Sequence, residues 1–411
     1  MRLPCAFLGV TLLAALPAHA YDPFADQRAE RRFVIAGPDG LALVIKGQAA
    51  MAFVDLEGAG GLGRDSVTDT VTLGTRSAHG RLDGVVLAPR LEAPEGFRMA
   101  LELAFDANGA QARAAWLEAR FATTEALELR AEAGFQRPLG SVDPRLRRSA
   151  LASRAWLDAA ELHLVGEAIL RWPPWQLAGA TSVAMLRPLG STGINDASAR
   201  GTLALIAAQE SRPYSGNGPA FGARLRLGYG EEGPDFWGRL EGFGAAGTLA
   251  AEGGIDELRN RIAGFSHLPG FNTADPRDQD TTTWWVGGRL DVGLRGFEAR
   301  AEWVEARDSL LRRRSALVQG GYAWMREAVW LSSLELRVRG ERYRLLDADP
   351  LRVADPSQAL TWDWDVLTVE AGAWLYRRLL RITVEHSVLA DDRSGPEFAN
   401  NESLAQLELR F

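Results

Sequence analysis

The feature that most limits what this chain can fold into is a two-residue period that returns along nearly its whole length. FRMALELAFD sets Phe97, Met99, Leu101, Leu103 and Phe105 on one face, and Arg98, Glu102 and Asp106 on the other. ALELRAEAGFQ opposes Leu127, Leu129, Ala131, Ala133 and Phe135 to Glu128, Arg130, Glu132 and Gln136. FEARAEW opposes Phe297, Ala299, Ala301 and Trp303 to Glu298, Arg300 and Glu302. LELRVRGE opposes Leu334, Leu336, Val338 and Gly340 to Glu335, Arg337, Arg339 and Glu341. Side chains alternate across a strand, so each run is a β-strand with one apolar and one charged face. No long stretch carries the helical period.

A soluble sandwich also alternates, but its core face is rich in Val and Ile. Here the apolar face is Ala, Gly, Leu and aromatic, and the other face carries E-x-R-x-E ladders. Lipid outside and water inside account for both faces at once, as in a transmembrane β-barrel. The composition, 46% hydrophobic and 24% charged, fits because apolar residues are spread one in two along each strand. The fold expected is therefore all-β: a single antiparallel barrel, with short periplasmic turns and long extracellular loops. Sixteen strands are expected, with Thr202–Gln209 the doubtful candidate for a seventeenth. Turn residues mark DANGA (Asp106–Ala110) and APEGF (Ala93–Phe97). Long Gly-, Asp-, Ser- and Pro-rich segments run over Glu57–Asp69, Pro138–Ser153, Leu189–Ala199, Ala251–Thr281 and Leu346–Gln358. Trp172, Trp175, Trp284, Trp285, Trp362, Trp364 and Tyr376 lie near strand ends, where aromatic girdles form at membrane interfaces.

The N-terminus reads as an export signal. Arg2 precedes the apolar run CAFLGVTLLAALP and an A-x-A site, Ala18-His19-Ala20. Residues 1–20 are expected to be cleaved, 21–32 to be a short periplasmic segment, and 33–411 to be the outer-membrane barrel. The apolar run is short of the ~20 residues that cross a bilayer. Cys5, the only cysteine, lies inside it, so the processed chain has no thiol. The partners this implies are the lipid bilayer, the outer-membrane assembly machinery, and small solutes or inorganic anions. The net charge of −7 has the wrong sign for nucleic acid.

AQARAAWLEARFATTEALELRAEAGFQRPLGSVDP (Ala110–Pro144) resembles a strand pair of the phosphate-selective porin O and P family. FEARAEWVEARDSLLRRRSALVQGGYAWMREAV (Phe297–Val329) resembles a second pair, and AGAWLYRRLLRITVEHS with the final LELRF its last hairpin and closing strand. The resemblance implies a sixteen-stranded barrel, a homotrimer, and a third loop folded inward to narrow the pore. The family's Lys-rich phosphate site has no counterpart, because Lys46 is the only lysine.

In a channel the chemistry is the charge on the wall. Counting from Val44, the fifth strand is Ala126–Gln136, and the segment after it would be the constriction. It carries Arg137, Arg145, Arg147, Arg148 and Arg154 against Asp143. Guanidinium groups fork onto carboxylate, sulfate or phosphate, so a narrow site lined by them would prefer anions. The same arginines on an exposed loop would meet anionic lipid head groups. The lumen-lining ladders expected are Glu128, Arg130, Glu132, Glu298, Arg300, Glu302, Glu335, Arg337, Arg339 and Glu341, in which neighbouring charges cancel. Phe411, a bare aromatic closing an alternating strand, resembles the signal read by the assembly machinery. No H-E-x-x-H or G-x-S-x-G occurs. No enzyme activity, metal or cofactor is expected. The function expected is passive diffusion of small hydrophilic solutes. A non-transporting anchor with a Glu–Arg-plugged lumen, and a channel for oligosaccharides or hydrophobic solutes, are the alternatives.

Overall fold

The computed structural model describes residues 33–36, 41–56, 63–64, 71–72, 77–93, 96–106, 109–122, 124–136, 161–185, 218–231, 235–248, 282–308, 311–325, 328, 330–346, 364–376, 378–391 and 401–410. Within them the chain forms β1 (Phe33–Ala36), β2 (Ala42–Leu56), a small hairpin β3 (Gly63–Arg64) and β4 (Val71–Thr72), and β5 (Ser77–Glu92). There follow β6 (Phe97–Asp106), β7 (Gly109–Ala122), β8 (Leu127–Gln136), β9 (Glu161–Trp172), β10 (Trp175–Met185), β11 (Pro219–Tyr229) and β12 (Trp237–Thr248). The last seven are β13 (Thr282–Leu294), β14 (Phe297–Asp308), β15 (Leu311–Met325), β16 (Leu331–Leu345), β17 (Trp364–Leu375), β18 (Leu380–Asp391) and β19 (Glu402–Arg410).

Strands β2 and β5 to β19 close into a sixteen-stranded antiparallel barrel. Each pairs with the next in the chain, and β19 returns to β2 with Arg410 opposite Gln48 and Glu402 opposite Leu56. Strand β1 lies along the same edge of β2, pairing Phe33 with Ile45 and Ala36 with Ala42. Barrel strands run from 9 residues in β19 to 16 in β5, long enough for the ~9–11 residues of a tilted crossing. The candidate strand Thr202–Gln209 lies outside the described residues, as do the proposed signal and the segment before Phe33.

One rim of the barrel, the turn end, has short connections: residues 93–96, 123–126, 173–174, 230–236, 295–296, 326–330 and 376–379. All five long segments foreseen from composition lie in sequence between strand ends of the opposite rim, the loop end. Two further pairs of strand ends at that rim are separated by only two residues, 107–108 and 309–310, so DANGA joins strands at the loop end. At the turn end Arg295 (φ 51°) and Gly296 (φ 86°) both have positive φ, the requirement of a two-residue type I′ hairpin.

The outward face is apolar and bare. Val318, Phe221 and Leu164 are each more than 60% exposed. A soluble monomer does not leave so continuous an apolar surface in water. Trp172, Trp175, Tyr229, Phe236, Phe297, Trp324, Trp330 and Tyr376 are exposed around the turn end. Some touch: Trp175 meets Tyr229 edge-on at 4.9 Å, and Phe297 tilts onto Tyr322 at 4.5 Å. The girdle expectation fails for Trp285, which is buried on the inward face against Phe243, Val304 and Ala306. On β13 it shares the parity of Arg289 and Asp291, one residue out of phase with Trp284, and it lies across from Ala306. Trp362 lies outside the described residues.

Candidate functional site

The inward face carries the charge. On β16 Leu334, Leu336 and Val338 are exposed, while Glu335, Arg339 and Glu341 are buried and Arg337 is half-buried. The structure puts Glu128, Arg130 and Glu132 of β8, and Glu298, Arg300 and Glu302 of β14, on the more shielded side of their strands, Glu302 buried and the other five half-buried. All ten residues of the foreseen ladders thus share the face opposite the bare apolar one.

Register turns these ladders into rows running around the wall. Arg239, Asp291, Arg300, Gln319 and Arg339 are successive cross-strand partners from β12 to β16. Arg226, Glu241, Arg289 and Glu302 form a second row from β11 to β14. Arg289 Nε donates to Glu302 Oε2 at 2.8 Å and its Nη1 lies 3.5 Å from Glu241. Arg300 donates to Asp291. Opposite charges directly across a ladder attract, so the row order itself stabilises the register.

Some bridges leap over a strand. Arg224 on β11 reaches Glu167 on β9 at 2.7 Å. Both face Ala180 on the intervening β10, whose methyl leaves the path clear. Arg381 on β18 reaches Glu335 on β16 at 2.9 Å, passing Gly372 of β17, the cross-strand partner of Glu335. Two strand spacings are about 10 Å. Long side chains close that gap on a concave wall, where they converge, and small residues beneath are what permit it.

Glu335 is the centre of the densest network. It accepts from Trp374 Nε1 at 2.8 Å and Arg381 Nη2 at 2.9 Å, and lies 3.1 Å from Arg337 Nη2. Arg337 and Arg381 both also donate to Glu370, at 2.8 and 2.9 Å. Arg410 stacks 4.4 Å over the Trp374 ring. Every ion pair named here joins strands no more than two apart, so the network runs along the wall rather than across it.

Sequence reasoning missed two things on these faces. The inward side of β12–β14 is apolar near the loop end, with Phe243, Trp285, Val304 and Ala306 packed together. Gly287 permits this, because a side chain there would strike the Phe243 ring at 2.7 Å. On the outward face His386 Nδ1 lies 2.9 Å from Ser403 Oγ, a cross-strand pair of β18 and β19. Each gives the other a partner where lipid offers none. Among the described residues no group of three His, Asp or Glu side chains is placed to hold a metal. Arg137, Arg145, Arg147, Arg148 and Arg154 follow β8, the fifth barrel strand as counted, and lie outside the described residues. Phe411 lies outside them too.

No family model and no curated protein matches the chain. Solved structures do. The outer membrane channel DcaP of Acinetobacter baumannii aligns over 92% of this chain and 99% of its own, at 14% identity and a TM-score of 0.50. A loop L8 deletion mutant of OmpT, an outer membrane protein of Vibrio cholerae, aligns over 91% and 100%, at 11% identity and a TM-score of 0.46. The likeness to DcaP is one of fold: this is a β-barrel of the outer-membrane type. Of what the resemblance to the phosphate-selective porins implies, the structure bears out the sixteen-stranded antiparallel barrel.

Proposed function

We propose that this barrel is an outer-membrane channel of porin type, passing small hydrophilic solutes by diffusion. One observation carries the reading: a closed sixteen-strand wall whose ion pairs run around it. A barrel of this strand number is too wide for its own side chains to fill and leaves an aqueous lumen. Charges that bind each other along the wall keep the lining wet without closing it. The fold shared with the DcaP channel supports the same reading. In this proposal the short turns face the periplasm, the long loops face outside, residues 1–20 are removed on export, and Phe411 is read by the assembly machinery.

Selectivity is local in this proposal. The described wall alternates in sign, so it favours neither ion strongly. The segment after β8, with Arg137, Arg145, Arg147, Arg148 and Arg154, supplies an anion preference if it folds inward. A homotrimer of three such pores is part of the proposal and rests on the resemblance alone.

The test is conductance in a planar bilayer under a salt gradient. Stepwise openings with an anion-selective reversal potential are expected. Replacing Arg145, Arg147 and Arg148 with Ala should move that potential toward cations. Absence of conductance above background would remove the channel reading. It would favour a non-transporting barrel, the reading that the apolar inward cluster of β12–β14 supports.

A further inference from the structure

The outward face does not stay apolar to the loop end. On β14 to β17 it changes abruptly from lipid-like to charged. Above Trp303, Val318, Val338 and Leu367 the same outward parity continues into Glu305 and Arg307 on β14, Arg314 on β15, Arg342 and Arg344 on β16, and Asp365 on β17. Register gathers them. Glu305 faces Arg314, Arg314 faces Arg344, and Arg342 faces Asp365. Among the described residues three of these guanidinium groups bind the two carboxylates, and the six side chains named sum to a net positive charge.

The carboxylates hold the arginines in place. Asp365 takes Arg342 through two bonds, at 2.8 and 3.3 Å, and Arg344 through one at 2.9 Å. Glu305 takes Arg314 through two, at 3.0 and 2.8 Å. The arginines still face outward: the side chains of Arg342 and Arg314 are 62% and 46% exposed.

Height fixes what these donors meet. A tilted crossing takes ~9–11 residues. Counted from exposed Leu334 near the turn end, Arg342 and Arg344 stand at the top of that span. So do Arg314 counted from Trp324, and Asp365 counted from Leu375. At this level a bilayer presents phosphate, and arginine on an outward barrel face costs little there, unlike at mid-depth. Beneath Arg342 the surface is low. Ala316 lies across from it, and a side chain added at Gly340, two residues below, would meet nothing within 4 Å.

We propose that this cluster is a binding site for the phosphate of an anionic lipid in the loop-side leaflet, with an acyl chain lying over Gly340 and Ala316. Planar guanidinium forks match phosphate oxygens pairwise. The inference rests on the outward face lying in a bilayer, as proposed above, but not on conductance.

Native mass spectrometry of the full chain, released from micelles holding equal phosphatidylglycerol and phosphatidylcholine, tests it. The wild type should retain phosphatidylglycerol about tenfold over phosphatidylcholine. Arg342→Gln with Arg344→Gln should bring the ratio near one, and Arg342→Lys should fall between, keeping charge but losing the fork. Heat-modifiable gel migration checks that each variant is folded. If the double variant does not fold, Arg342→Gln alone serves, its side chain being the most exposed of the set. Equal retention of both lipids by the wild type, or an unchanged preference in the folded variant, would overturn the site. Displacement of lipid by millimolar inorganic phosphate would assign it to free anion instead. Single-channel conductance of the variants should match wild type, so a barrel that does not conduct leaves this result readable.

Discussion

Two sectors of the inward wall solve the same burial problem in opposite ways. On β16–β18 the shielded face is ionic, with Glu335, Arg337, Glu370 and Arg381 tied to one another and to Trp374. On β12–β14 near the loop end it is apolar, with Phe243, Trp285, Val304 and Ala306 in contact. Both obey the same alternation and both are closed to solvent at their centres. Parity therefore fixes which way a residue points, while the chemistry of the neighbours it meets decides what holds it. The ionic sector depends on partners being complete. The apolar sector depends on volume being filled.

Removing one partner should separate them most sharply. Glu335→Ala leaves Arg337 and Arg381 short of a shielded counter-charge, and should cost about 3–5 kcal/mol in urea unfolding of the detergent-folded barrel. Adding Arg381→Ala should cost less than the sum of the two single changes, since both act on one network. Val304→Ala removes two methyl groups from the apolar sector and should cost about 2 kcal/mol in the same assay. A loss from Val304→Ala as large as that from Glu335→Ala would erase the distinction.

Two glycines sharpen the contrast at lower energy. A Cβ on Gly287 would lie 2.7 Å from the Phe243 ring and 2.8 Å from the Trp303 carbonyl oxygen, so Gly287→Ala should cost about 1–3 kcal/mol. A Cβ on Gly372 would lie 3.6 Å from Glu335 Oε2 and 3.7 Å from Arg381 Nη2, which is ordinary contact. Gly372→Ala should stay within about 0.5 kcal/mol. Equal costs would show that the bridge over β17 has no more room than the aromatic packing over Gly287.

Much of this architecture is written in the local alternation. The strand read at Ala126–Gln136 is Leu127–Gln136, the fifth of the barrel, and the ladder residues of each strand share one face, because side chains alternate along a strand whatever its partner. What depends on register was not legible. Alternation turns only one of the neighbours Trp284 and Trp285 inward, but that Trp285 packs on Phe243, Val304 and Ala306 follows only from the pairing of β13 with β12 and β14. The reach of Arg224 to Glu167 needs Ala180 exactly between them, and neither residue's own strand reveals that. His386 shows its outward parity in sequence, but Ser403 becomes its partner only through the β18–β19 pairing. The arginines after β8 are visible as composition, and composition does not say which side of the wall they occupy.

The seam has a consequence for how such a wall gives way. Every other lateral junction joins strands that follow one another around the meander, whereas β19 meets β2 across nearly the whole chain. The entropic cost of closing a loop grows only logarithmically with its length, so fastening this latch costs about 4 kcal/mol more than closing a hairpin. Once undone, however, it has no short connection to hold its halves together. It is also shared, since β1 secures Ala42–Ile45 and β19 secures Gln48–Leu56 of the same edge. The cylinder is thus a single ribbon fastened by two clasps along one slit, and that slit is where it would first unzip.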